Sequence, residues 1–350
     1  MNLYFFSNRI SNPLTGGEIY NLALLEGAEK ALLNIVKCEA VSLGKYSKNL
    51  IVCNLWYLIN VIRSSSKDFI VVDTDLHARC FLSVLVARFL LRKRIIGMLH
   101  HYNYWDKDSN VSRKIHYSLE GLISRCFDFL ITNSEFSYVN FLKISNNRIP
   151  YKILNPFTDG KIINGIRKRT SSKLKFLHIG TVEHRKNVHT TLRAFANIKI
   201  DFEFHIVGKM SDNEYCTSLH KIIEEGSIKN KVIFHGFVEN DKREALLCDT
   251  DIFILVSLME GYGMAYADAM MYGIPIIASS SGAIPELVKH GLNGFLCEPE
   301  SVESIESAIG QMADETVRDE MRSNNLIKAN TFLNRKQFIN ESELLFKNLK

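Results

Sequence analysis

Short apolar runs separated by helical patterns recur from one end of this chain to the other, and that alternation constrains the fold more than any other feature. Such runs suit strands buried on both faces, and the helices between them supply the crossovers that parallel sheets require. In the first half the expected strands are Asn2–Phe6, Asp68–Val72, Arg94–Leu99, Phe129–Thr132 and Tyr151–Leu154. In the second they are Leu174–Gly180, Phe202–Val207, Lys231–Phe234, Asp251–Val256, Ile274–Ala278 and Gly294–Leu296. Between Asn155 and Lys173 the pattern lapses into Pro156, Asp159, Gly160, Gly165 and a polar run, which reads as a linker. With 350 residues, 46% of them hydrophobic, the chain can support two core-bearing domains. The expectation is an α/β protein of two Rossmann-like lobes.

The segment Glu260-Gly-Tyr-Gly-Met-Ala-Tyr-Ala-Asp268 carries the most chemistry. It follows the strand Ile252-Phe-Ile-Leu-Val256 and turns into a helix at Gly261 and Gly263, where outward-pointing N–H groups favour anions. Glu260 on the loop and Asp268 a turn inside the helix can line one crevice at the strand's C-terminal end. Phosphates on amides and hydroxyls on carboxylates would suit a sugar nucleotide. A loop with a helix-capping carboxylate shows the same spacing.

Other candidates share this strand-to-helix setting. Arg185 and Lys186 lie in the loop after Leu174–Gly180, where adjacent cations can neutralise a diphosphate, or simply solvate a helix start. Gly16 and Gly17 follow the first strand and open a helix, as ordinary turn glycines also do. His100 and His101 end the strand Arg94–Leu99; because a strand alternates faces, one of the two should point inward. Asp73, Asp75 and His77 could contact an acceptor or only cap a loop tip. Asp73-Thr-Asp75 has the form of a metal site but sits in the wrong lobe for donor phosphates, and no His cluster has metal-ligand spacing.

Charge is uneven along the chain. Residues 1–165 hold 20 Lys and Arg against 13 Asp and Glu, and the remainder holds 23 against 25. Arg88, Arg92, Lys93 and Arg94 beside Phe89, Leu90 and Leu91 could rest on anionic lipid headgroups, or could complement a helix dipole. No basic and aromatic stripe recurs, so nucleic acid is not expected as a partner. The seven cysteines are widely spaced and read as reduced core thiols of a cytoplasmic protein. The N-terminus reads as a first strand rather than a signal peptide, and the longest apolar run, Phe81 to Leu91, is too short to span a bilayer.

Glu260, Gly261, Gly263, Gly273, Pro275, Gly282, Pro285, Glu286 and Gly294 together resemble the donor-binding signature of the retaining glycosyltransferases of group 1, also called family 4. Their order is a Glu-Gly-aromatic-Gly loop, a second acid eight positions on, Gly-x-Pro, and a Gly-rich turn before Pro-Glu. Asp268 departs from the family's Glu, and Val256-Ser257 stands where many members have Pro-Ser. Gly180-Thr-Val-Glu-His-Arg185-Lys186-Asn187 and Gly16-Gly17 also resemble family segments, and Thr181 stands where others carry a first Arg.

This resemblance implies the GT-B fold, with two Rossmann-like domains whose parallel sheets face a central cleft. Residues 1–160 would bind the acceptor, 161–172 would link, 173–333 would bind the nucleotide sugar, and a helix in 334–350 would cross back to the first domain. Implied too is metal-independent transfer, without a cofactor, from a UDP or GDP sugar to a hydroxyl of a glycan or lipid-linked acceptor. The setting would be cell-surface polysaccharide or lipopolysaccharide synthesis, at the cytoplasmic face of the membrane. Glu260 would orient the donor sugar, Arg185 and Lys186 would take the leaving diphosphate, and either His100 or His101 would face the reacting sugar. Gly16, Gly17, Val238, Gly261, Tyr262, Gly263 and Met264 would complete donor binding, with Asp268 on the ribose. A sugar-nucleotide epimerase of the same fold and a silent donor-binding partner subunit are the alternatives.

Overall fold

A computed structural model describes residues 1–350 apart from 12–14, 48, 66, 74–75, 107–108, 161, 164–172 and 211–212, and gives the backbone alone at 77, 78 and 106. The expected linker and Asp75 therefore lie almost wholly outside the described residues. The chain forms two compact units, one of Met1–Phe157 with Leu333–Lys350 and one of Thr158–Phe332.

The first unit is built on β1 (Asn2–Ser7), β2 (Asn34–Glu39), β3 (Phe69–Asp73), β4 (Arg94–Leu99), β5 (Phe129–Thr132) and β6 (Tyr151–Ile153), in the order β2-β1-β3-β4-β5-β6. All five pairings are parallel. Successive side chains go to opposite faces, as the pleat requires. Leu3, Phe5, Val71 and Ile96 join one core with the helices Gly16–Lys30 and Arg335–Leu349. Tyr4, Phe6, Val72 and Ile95 join a second core under the helices Leu50–Arg63, His77–Leu85, Asn110–Ser124 and Glu135–Ser145. The C-terminal helix docks closely on Gly16–Lys30. A Cβ at Gly27 would lie 2.3 Å from the Ser342 Cβ, while Phe338 and Phe346 are wholly buried.

One strand, β2, is not among those the apolar runs predict. It is an edge strand in which only Cys38 is buried, so Asn34, Lys37 and Glu39 interrupt the apolar pattern without penalty. Cations of the Arg88–Arg94 cluster take up partners from distant parts of the first unit. Arg88 pairs with Asp128 at 2.5 Å, buried Lys93 donates to the Ser64 carbonyl, and Arg94 donates to the Leu349 carbonyl. Three of the four cations thus have partners within the fold, while Arg92 and Arg94 stay exposed. Six of the cysteines are buried, but Cys248 is exposed at a helix end and is not a core thiol. Among the described residues, no helix is long and apolar enough to cross a membrane.

The second unit contains β7 (Leu174–Ile179), β8 (Phe202–Val207), β9 (Val232–Gly236), β10 (Ile252–Leu255), β11 (Ile276–Ser279) and β12 (Gly294–Cys297), in the order β12-β11-β10-β7-β8-β9. Its pairings are parallel as well. Chain order reverses between β7 and β10, the arrangement of a dinucleotide-binding sheet. There the loops leave in opposite directions and open a crevice at the strands' carboxyl ends.

Candidate active site

Both loops at that reversal carry charged side chains, and the fold of each is explicable locally. After β7 the chain makes a short turn at His184–Lys186 and enters the helix Val188–Asn197 through Asn187, whose φ is +55°. Asparagine tolerates this left-handed conformation better than most residues. Its buried carboxamide donates to the Val256 carbonyl at 3.0 Å and the Pro299 carbonyl at 2.5 Å, and accepts from Thr190 at 2.6 Å. Leu258 N–H donates to the Arg185 carbonyl at 2.8 Å. The β7 loop is therefore bonded to the β10 loop through its backbone.

Glu260 lies where the two loops meet. Its Oε1 accepts from Lys186 Nζ at 2.5 Å and from Ser257 Oγ at 2.7 Å, and its Oε2 is 3.6 Å from Arg185 Nη1. Arg185 is held in turn by the Met259 carbonyl at 3.0 Å and the Glu183 carboxylate at 2.9 Å. Burial alone would raise the Glu260 pKa, but the Lys186 and Arg185 charges outweigh it and hold the carboxyl at about 2. The acid is an anion at any physiological pH.

Its backbone is fixed from below by Gly282, with φ +66°, where a Cβ would lie 2.4 Å from the Glu260 carbonyl oxygen. Ala283 N–H donates to that oxygen at 3.0 Å. Gly263, with φ +97°, then starts the helix Met264–Met271.

His178, on β7, lies under this cluster. Its Nε2 is buried without a hydrogen-bond partner among the described residues, and both this atom and the Lys186 Cε approach Gly180. Burial, and then the Lys186 charge, hold the imidazole at about 3 against a usual 6.5. Below pH 6.5 the unfolded chain binds this proton and the fold does not, so stability falls as pH drops from 6.5 toward 3. His178→Leu should therefore raise Tm more at about pH 5 than at about pH 8. Thermal melts of both proteins check this, and an equal gain at the two pH values would contradict it.

Asp268 is engaged by Arg243 of the helix Asn240–Cys248, which donates to its Oδ2. Burial raises the Asp268 pKa, and Arg243 opposes the rise. The shorter acid is thus anchored by a cation from the neighbouring helix. Tyr262 is buried in the core, which leaves its backbone as the part able to meet a ligand. Met264 and Val238 are half-buried against that core.

In the first unit, Thr15 caps the helix Gly16–Lys30 in a reciprocal pair with Glu18, so Gly16 and Gly17 form a first turn without side chains. Buried His100 lies beside Gly17, its ring 3.6 Å from where a Gly17 Cβ would be. The Asn21 Oδ1 is 2.9 Å from His100 Nε2, and Asn21 donates to Asp73 at 2.6 Å. His101 is half-exposed. Asp73 also accepts from Ser7 at 3.0 Å, so it supports the His100 arrangement from within the fold.

The structure brings together Arg185, Lys186 and Glu260 in one unit, and Gly17 and His100 in the other. The sequence does not show the supporting roles of Asn187, Arg243, Asn21 and His178, although Asn187 lies in the segment that resembles the family's. Three act through pairings between residues 25 to 112 positions apart, for which the local sequence carries no signal. His178 was detectable, as a polar residue inside the apolar run 176–179 of its strand.

Residues 162–330 match the family described as Glycosyl transferases group 1. Among curated proteins, the chain is 29% identical over 173 residues to the N-acetyl-alpha-D-glucosaminyl L-malate synthase of Bacillus anthracis, covering 45% of this chain and 44% of that one. It is 26% identical over 159 residues to the O-antigen chain mannosyltransferase B of Escherichia coli, covering 45% and 41%. The chain thus spans less than half the length of these two relatives. Over the whole of both chains it resembles Anabaena HepE, solved in complex with UDP and glucose, with a TM-score of 0.76 at 18% identity. The match to the group 1 glycosyltransferases thus falls on the second lobe, over residues 162–330, and the two parallel six-stranded lobes together have the GT-B fold.

Proposed function

We propose that this protein is a retaining, metal-independent glycosyltransferase of family 4. It moves a sugar from a nucleoside-diphosphate donor, of UDP or GDP type, to a hydroxyl of a glycan or lipid-linked acceptor in cell-surface polysaccharide or lipopolysaccharide synthesis. The observation that carries this reading is the 2.5 Å contact of Lys186 with Glu260 at the strand reversal of the second lobe. It puts a cation suited to a departing diphosphate beside a carboxylate suited to sugar hydroxyls. The presence of UDP and glucose in HepE and the O-antigen role of the Escherichia coli relative support the donor class and the setting.

Each residue then has a defined task. Lys186 and Arg185, with the backbone amides of Gly261 and Gly263, stabilise negative charge on the leaving phosphate, which needs no metal ion when these donors are already in place. Glu260 stays ionised and accepts from the donor sugar, fixing the ring while its bond to the diphosphate breaks. The Asp268 carboxylate, steadied by Arg243, accepts from the ribose. The first lobe receives the acceptor, with His100 as its contact to the reacting sugar, and the leaving phosphate takes the acceptor's proton. No separate general base is assigned.

The test is incubation with a panel of nucleotide sugars and lipid-linked or glycan acceptors, with and without a chelator. The expected result is transfer with the anomeric configuration kept and the rate unchanged by chelation. Loss of activity on chelation, restored by Mg²⁺ or Mn²⁺, contradicts the metal-free mechanism. An epimerised donor, or binding without turnover, contradicts the transferase reading.

A further inference from the structure

The first lobe has an unusual outer surface on the helical layer that covers one face of its sheet. On Leu50–Arg63 the inner side chains Cys53, Tyr57 and Val61 fill the core, while Ile51, Leu55, Ile59 and Ile62 form a stripe at helical spacing that is open to solvent. Ile51 is 73% exposed. The next helix packs beside it and ends in a π-helical turn, Val86–Leu90, where Phe89 and Leu90 are 71% and 75% exposed. Beyond that, Asn110–Ser124 presents Val111 and Ile115 outward. Three adjacent helices thus show apolar side chains on the side away from the sheet, a pattern that marks an interaction surface.

Charge identifies the partner. Residues 40–119, which contain these helices except for the end of the last, hold twelve Lys and Arg against five Asp, of which Asp68 and Asp73 are buried. Arg63, Lys67, Arg92 and Lys114 are exposed around the apolar side chains. A second copy of the chain docked through this face would set cations against cations. An anionic bilayer offers what both features need, with phosphates for the cations and an acyl boundary for the branched aliphatics.

We propose that the outer face of this three-helix layer is a docking surface for an anionic lipid bilayer. The stripe on Leu50–Arg63 and the Phe89–Leu90 tip enter the headgroup region, and the surrounding cations pair with lipid phosphates. This assigns membrane contact to the helix faces rather than to the Arg88–Arg94 cluster, most of which is committed within the fold.

The experiment is co-sedimentation of the full chain with phosphatidylglycerol-containing vesicles and with phosphatidylcholine vesicles. No nucleotide sugar is present, so the outcome is independent of the donor chemistry. The wild type should partition to the anionic vesicles. Ile51→Ser/Leu55→Ser/Ile62→Ser should lower that partition about tenfold or more, with a native circular dichroism spectrum and unchanged transfer to a soluble acceptor. Arg63→Gln/Lys67→Gln/Arg92→Gln should weaken binding most at low salt. Failure of the wild type to bind anionic vesicles, or unchanged binding by both folded variants, overturns the proposal. A concentration-dependent dimer that the triple serine variant abolishes would assign the face to self-association instead, and capture of an acidic protein with no vesicle binding would assign it to that protein.

Discussion

Lys186→Ala should lower kcat for transfer by about 10²–10³-fold, the usual cost of removing one preorganised donor from a site of developing negative charge. The expectation rests on the 2.5 Å bond from Lys186 Nζ to Glu260 and on the burial of the Glu260 carboxylate beside a largely covered Lys186. The alanine variant leaves Glu260 with Ser257 at 2.7 Å and Arg185 at 3.6 Å. One carboxylate stays buried with a single, more distant cation, and its pKa should rise from about 2. Breaking a buried pair outright costs about 3–5 kcal/mol, and the remaining Arg185 keeps the loss below that range. Lys186→Arg retains the charge and should recover part of kcat, because the longer planar fork must share space with Arg185. Steady-state kinetics and thermal melts on the same variants separate the two effects. A large fall in Tm with kcat near wild type would mean that the pair serves only the fold.

Gly282→Ala should act on the same carboxylate from beneath, without changing any charged residue. The added Cβ would lie 2.4 Å from the Glu260 carbonyl oxygen and 2.8 Å from its nitrogen, at a φ of +66°. Backbone has to move, and the backbone that moves carries Glu260. A displacement of about 1 Å at a reacting centre costs about 10²-fold in rate. Left-handed strain adds about 1 kcal/mol of destabilisation to the clash. Gly291→Ala is the matched control, with φ +75° and nothing within 4 Å of the added atom. It should lower Tm modestly and leave kcat alone. Equal kcat values for the two variants would remove Gly282 from the account of the site.

Much of this arrangement was legible in the sequence because it is local. Strands such as Ile252–Leu255 are buried on both faces and so read as unbroken apolar runs. Glu260, Gly261 and Gly263 are tied to one turn, and Arg185 and Lys186 to another, so each loop shows its chemistry in a few adjacent letters. What joins the loops is not local. Asn187 reaches a carbonyl 112 positions away, and Arg243 finds Asp268 across 25 residues that include a strand. The edge strand β2 was illegible for a different reason, since a strand with one sheet neighbour and mostly part-exposed side chains carries too little apolar pattern to register. His100 and His101 were indistinguishable until burial separated them, with His100 against Gly17 and His101 half-exposed. The partners of the Arg88–Arg94 cluster were illegible because a run of cations shows charge alone, and Asp128 and the Ser64 and Leu349 carbonyls are far away in sequence.

We propose that Lys186, Arg185 and Glu260 form the diphosphate end of a nucleotide-sugar site in the second lobe. Calorimetric titration of the wild type and Lys186→Ala with a nucleoside diphosphate and the matching monophosphate tests it most directly. The wild type should bind the diphosphate at least about tenfold more tightly, a difference of about 1.4 kcal/mol, and Lys186→Ala should erase that preference while still binding the monophosphate. Equal affinity of the wild type for the two nucleotides, or a preference that survives the loss of Lys186, would contradict the account.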